Sequence, residues 1–280
     1  MMAGRRSPTG ARAQPVDALP LRRRGLALAQ GSGRFQMQRL KVAAGLGLVL
    51  VLTACGESEA PRGEPYRAPS VSEQEAALFG EVDVGALPAP QRAALVTAHV
   101  EAALALYRAG ETEAALEQLS VPDPALRPEL MVGLDTLGYD QEAVNVLADW
   151  MTSGGDAVQA EPAMLAAVEM LAKLRSGARG DIGETTEFLM KQLAREFEKG
   201  ADAGTITDPV AYQTAYGLAV AARDLTSGED PDVYGDLRRE LDFLVLMWPR
   251  GGPVSTAVAP PELQMAEQLS RVKLALAAVP

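Results

Sequence analysis

Histidine and cysteine each occur once, as His99 and Cys55. A lone cysteine excludes an intramolecular disulfide. A lone histidine excludes every metal motif built on a histidine pair, H-E-x-x-H included. Aromatic residues make up 5% of the chain. No run of alternating β-branched residues appears, so nothing reads as a half-buried strand. The glycines form neither G-x-x-x-x-G-K-[ST] nor a G-x-G-x-x-G following a strand, which removes the common phosphate-cradling loops. No G-x-S-x-G elbow exists to present a serine nucleophile. The longest apolar run, residues 42–52, is too short to span a bilayer.

That run nevertheless explains the cysteine. Arg39 and Lys41 precede it, and Leu52, Thr53, Ala54 and Cys55 follow as an aliphatic residue, two small ones and a cysteine. A basic start, an apolar core and a small-residue end make a secretory signal. The order over Leu52, Thr53, Ala54 and Cys55 resembles the lipobox of bacterial lipoproteins. The resemblance implies cleavage between Ala54 and Cys55, a diacylglycerol thioether on the Cys55 thiol and acylation of the new amino terminus. It also implies the periplasmic face of the outer membrane, because Gly56 rather than aspartate follows Cys55. One acyl chain holds a protein to a membrane only marginally, and two or more hold it firmly. The alternative for Cys55 is a buried free thiol in an N-terminal helix.

Residues 1–36 carry seven arginines and one acid with scattered glycine and proline. Without apolar periodicity they read as disordered. Signals begin close to their apolar core, so translation is expected to start at Met37, with residues 1–36 a misplaced start. Residues 37–54 are then the lipoprotein signal peptide, residues 55–90 a flexible tether rich in Pro, Glu and Ser, and residues 91–280 one helical domain.

After Ala54 the chain holds 17 Lys and Arg against 36 Asp and Glu, a net charge of −19. Nucleic acid is excluded as a partner, since binding phosphates takes clustered Lys and Arg. Lying flat on anionic lipid through a basic face is excluded for the same reason. A solvated acidic surface is the simplest account, and basic partners or cations remain compatible with it.

Beyond Gln91 alanine is abundant and apolar residues recur at helical spacing. Leu95, His99, Ala103, Leu106 and Tyr107 predict a helix over 91–109, stopped by Gly110 as a C-terminal cap. A second helix is expected over Thr112–Leu119, making an α-α hairpin of "LYRAGETEAALEQL", which resembles the turn of a tetratricopeptide unit. A similar pattern returns at "LDTLGYDQEAVNVLADWM". Its Gly138 falls 28 residues after Gly110 rather than 34, so packed hairpins are expected instead of a repeat array. Glu161-Pro162, Asp208-Pro209 and Asp230-Pro231 each put an acceptor at or near a helix start, followed by proline. Ile182, Leu189, Leu193 and Phe197 mark another amphipathic helix. Tyr212, Tyr216, Ala219 and Arg223 share one face of a further helix, with Gly217 able to admit a close neighbour. Tyr234, Leu237, Leu241, Leu244 and Trp248 form an apolar stripe. A last helix begins near Pro261, after a loop at "WPRGGPVSTAVAPP". The fold class expected is all-α: a bundle of about eight or nine helices arranged as packed α-α hairpins, behind a disordered N-terminal region.

Candidate sites are few. His99 is the one candidate general base, but it sits on an apolar face and reads as a hydrogen-bonded core histidine. Asp230, Asp232 and Asp236 lie close together, yet Tyr234 stands where a calcium loop needs its third ligand. Helix-start acids are the better account. Glu184 with Glu187, and Asp236 with Glu240, are helix-spaced acids typical of solvated faces. Tyr107, Tyr212, Tyr216, Trp150 and Trp248 are expected in the core rather than in an aromatic ligand cage.

The stretches "AHVEAALALYRAGETEAALEQL", "ITDPVAYQTAYGLAVAARDL" and "LSRVKLALAAV" resemble a helical envelope-protein family of proteobacteria without a settled activity. Members carry histidines just after the position of Leu119. This chain has "SVPDPALRP" there, so any site those histidines make is lost. A more distant likeness is to imelysin-type periplasmic iron-uptake proteins, also all-helical. Their G-x-H-x-x-E motif is absent, since Ala98 precedes His99 while Val100 and Glu101 follow it.

The expected function is a non-enzymatic, lipid-anchored interaction or binding module facing the periplasm. Its partners are the membrane, through the anchor, and an envelope protein; no cofactor and no catalytic residue are expected. The alternative is a cation-binding accessory of an iron-uptake-like system that uses carboxylates. A hydrolase has the least support.

Overall fold

The computed structural model describes residues 83–280. The expected disorder of 1–36, the signal peptide 37–54, the lipid site at Cys55 and the tether up to residue 82 lie outside the described residues.

Helix α1 (Ala89–Arg108) is the centre of the bundle. Thirteen of its twenty residues are buried, on nearly every side, where the sequence pattern predicts one apolar face. Alanine explains the difference. Ala93, Ala94, Ala98, Ala102 and Ala103 have too little side chain to mark a stripe, yet they let other helices approach closely. The helix starts two residues before Gln91, with Pro90 in its first turn, where a missing N–H costs nothing. Upstream, Val84–Ala86 form a 3-10 turn capped by Asp83, and Val84 is buried. The last eight residues of the stretch read as tether are therefore ordered.

Gly110 adopts φ +86°, the left-handed conformation that ends helices cheaply, and turns the chain into α2 (Thr112–Leu119). A short helix α3 (Pro128–Met131) and a 3-10 turn (Asp135–Leu137) follow, both unmarked in the sequence pattern. Arg92 anchors this segment. Its guanidinium donates to the carbonyls of Leu87 (3.2 Å), Glu129 (3.3 Å), Leu130 (3.2 Å) and Val132 (2.6 Å).

Helices α4 (Gln141–Thr152) and α5 (Glu161–Gly177) pack together as a hairpin. Asp140 caps α4. Glu161 does not cap α5: it is the first helical residue, and the N-cap is Ala160 with no side-chain bond. Asp156 instead accepts from the Gln159 N–H in the preceding turn, at 2.8 Å.

Helix α6 (Ile182–Gly200) is capped by Asp181, which accepts from the Glu184 N–H at 2.8 Å. A two-residue hairpin, β1 (Ala201–Asp202) paired antiparallel with β2 (Thr205–Ile206), links it to α7 (Pro209–Leu225). The turn residues Ala203 and Gly204 both have positive φ, 48° and 81°, as a tight hairpin turn demands. This hairpin is too short to leave an alternating pattern, and the sequence reading missed it.

Helix α7 packs along both α6 and α1. At its crossing with α1, Gly217 admits backbone to backbone. A Cβ there would lie 2.0 Å from the carbonyl oxygen of Ala98. Helices α8 (Pro231–Val245) and α9 (Glu262–Leu276) close the bundle as the last hairpin. Asp208 and Asp230 cap α7 and α8 as their D-P pairs predict, accepting from the N–H groups of Ala211 (3.1 Å) and Asp232 (2.9 Å). Gln268 on α9 donates to the Glu240 carbonyl on α8 at 2.8 Å. The fold is thus all-α, with nine α-helices among the described residues. None of them is long and apolar enough to cross a membrane.

Candidate functional site

Three polar features sit inside or against the bundle. The first is a buried network around His99. Its Nδ1 lies 2.8 Å from Oε1 of Gln118 on α2. Gln118 in turn donates through Nε2 to the Val210 carbonyl and to Oγ1 of Thr214 on α7, both at 3.3 Å. Because Gln118 presents its carbonyl to Nδ1, that nitrogen carries the proton. Burial lowers the His99 pKa to about 4, against the smaller opposing effect of the Gln118 bond. The ring is 1% exposed. His99 is therefore the hydrogen-bonded core histidine the spacing predicts. The sequence reading missed Gln118. The signal available was a polar residue in the Ala115, Gln118, Leu119 stripe of α2.

The second feature is aromatic. Phe197, Tyr212, Tyr216 and Trp248 pack ring on ring, with Trp248 centroids 6.2, 6.0 and 5.8 Å from Phe197, Tyr212 and Tyr216. Tyr212 and Trp248 are buried, and neither the Tyr212 hydroxyl nor Trp248 Nε1 finds a partner among the described residues. Burial pushes the Tyr212 hydroxyl up to about 12. Tyr107 is buried as well, its hydroxyl bonded to the Gly155 carbonyl at 2.6 Å. Trp150 departs from the expectation. It is 38% exposed, and its ring covers Gly155, where a Cβ would come within 2.8 Å. Outward-facing tryptophan on α4 satisfies the helical spacing as well as a core residue does, which is why spacing alone misplaced it.

The third feature is a cleft of about 590 Å³ where the start of α1, the end of α5, the start of α6 and the end of α7 meet. Arg175, Arg179, Asp224 and Glu229 supply its charge, and Thr97 and Thr185 stand in its wall. Arg223 takes Oδ1 of Asp224 with two donors, Nε at 3.0 Å and Nη2 at 2.9 Å. Arg175 reaches only Oδ2, with Nη1 at 3.6 Å, too far for a hydrogen bond. That nitrogen is buried and hydrogen-bonds to nothing among the described residues. One turn beyond Thr97 on α1, burial and the neighbouring Asp224 raise the Glu101 pKa, against the pull of Arg175, Arg223 and Arg108. The sequence reading named neither Arg175 nor Asp224. They lie 49 positions apart, and no local pattern joins them.

The acids singled out by spacing do not converge. Asp230 caps its own helix, Asp236 pairs with Arg239 at 3.0 Å and Glu187 pairs with Lys191 at 2.8 Å. Among the described residues no group of three or more His, Cys, Asp or Glu is placed to hold a metal ion. Ala54 and Cys55 lie outside the described residues. Compared with family models, curated proteins and solved structures, the chain matches none.

Proposed function

We propose that this protein is a lipid-anchored, periplasm-facing helical module that binds a ligand or an envelope partner without turning it over. The observation that carries the anchor is the order Leu52, Thr53, Ala54, Cys55 behind a basic and apolar segment. The signal run is too short to serve as an anchor itself, whereas two or three acyl chains on one cysteine hold firmly. The binding part of the reading draws on the cleft at the α5–α6 corner, a concave site where a few charged side chains meet. His99 is buried and hydrogen-bonded, so the one imidazole of the chain serves packing.

The test is the mass of the amino-terminal peptide from native protein, together with fractionation of a Cys55→Ser variant. The reading expects a peptide beginning at Cys55 with a diacylglyceryl adduct, and a variant that leaves the membrane fraction. An unmodified thiol with the upstream residues still attached overturns it.

A further inference from the structure

The cleft is lined by what its neighbours leave undone. Four alanines line it, Ala93 and Ala94 on α1, Ala172 on α5 and Ala221 on α7; all but Ala172 are nearly covered, so the apolar surface it offers is Ala172 and a few larger side chains. Bundle interiors normally fill such space with side chains. The threonine hydroxyls in the wall are already engaged, Thr97 with the Ala93 carbonyl at 2.9 Å and Thr185 with the Asp181 carbonyl at 2.8 Å. The polar capacity left over is cationic. Arg223 commits the Asp224 carboxylate, so Arg175 keeps guanidinium donors that Asp224 does not take. Arg179, four residues further on and exposed, makes no hydrogen bond or ion pair with any described residue.

We propose that this cleft binds a small monocarboxylate, its carboxylate held by Arg175 and Arg179 and its hydrocarbon part laid against Ala172. The proposal rests on the reading of the chain as a binding module and gives that module a ligand class. A guanidinium presents donors in a planar fork that matches a carboxylate in two parallel bonds. A volume near 590 Å³ suits a molecule of small-metabolite size. Glu229 at the mouth sets the charge limit. Its carboxylate repels a second anionic group, which disfavours dicarboxylates and inorganic phosphate. The same arginines repel a cationic head group. Pro90, Ile182 and Leu225 supply further apolar wall for the chain of the ligand.

The experiment is calorimetry on the full chain in detergent with hexanoate, inorganic phosphate and hexylamine as probes. Saturable one-to-one heat is expected with hexanoate and neither of the others. Arg179→Gln and Ala172→Phe are expected to weaken it at least tenfold. Both positions are exposed, so the thermal midpoint should not move, whereas Arg175→Gln also removes an ion pair and is read only beside its own melting curve. No saturable heat with hexanoate overturns the proposal, as does undiminished binding in Arg179→Gln and Ala172→Phe, or a preference for phosphate or hexylamine. Each of these leaves the Cys55 acylation result untouched, so failure of the cleft and failure of the anchor are told apart.

Discussion

The imidazole of His99 and the amide of Gln118, both buried, meet at 2.8 Å, and that contact joins α1 to α2. The amide continues to Thr214, so one side-chain network ties three helices together. A buried network of this kind is worth having only when every member is satisfied.

Acid should therefore weaken the fold through His99. The folded pKa is about 4, below the usual value of 6.5 in an unfolded chain. The unfolded chain then takes up a proton that the folded chain refuses, and stability falls as pH drops from 6.5 toward 4. The loss from this one group is about 3 kcal/mol at the acid end. His99→Asn keeps a donor for Gln118 and does not titrate. Urea unfolding at pH 7 and pH 4.5 should show a shallower decline for the variant than for the parent chain. Equal declines would show that His99 is not the sensor.

Glu196 acts in the opposite sense. It is 5% exposed, its Oε2 has no partner among the described residues, and burial lifts its pKa to about 7 despite the nearby Lys199. The folded chain holds this proton more tightly than the unfolded chain. The contribution is complete below 4.5 and is lost as pH climbs through 7. Glu196→Gln should stabilise the protein at pH 8 by about 2 kcal/mol and bring no such gain at pH 5. Melting curves at the two pH values check this, and a gain confined to pH 5 would contradict it. Between pH 4.5 and 6.5 the two groups oppose each other, so the His99 effect is read from the difference between the parent chain and His99→Asn, not from the parent's curve alone.

Two glycines separate close packing from mere flexibility. Gly217→Ala drives a methyl into the Ala98 carbonyl and should cost about 3 kcal/mol or more, because α1 and α7 must part. Gly235 lies within α8 with nothing inside 4 Å of an added Cβ. Gly235→Ala should stabilise by about 1 kcal/mol through helix propensity alone. Denaturant midpoints of the two variants are expected to move in opposite directions.

Local chemistry made the helices legible. Asp208-Pro209, Asp230-Pro231 and Gly110 announce their boundaries within a few residues, and Gly217 stands out as the one small residue between Tyr216 and Leu218. Where the determinants are distant in sequence the reading fails. Arg175 and Asp224 meet only because α5 and α7 converge, and the pairing of Gln118 with His99 spans 19 positions. The 201–206 hairpin went unseen because two residues per strand carry no periodicity. Trp150 was misplaced because helical spacing says which residues share a face, not which face is covered.

The clamp formed by Arg92 has a mechanical meaning. The guanidinium grips the backbone at Leu87 while holding three carbonyls of 129–132. Pulling residues 83–88 away from the bundle loads those bonds together with the first turn of α1. Charge-assisted bonds of this kind contribute about 1.5–3 kcal/mol each. Several of them must rupture together before the first helix is peeled away, so Arg92 rivets the start of α1 to the 129–132 segment.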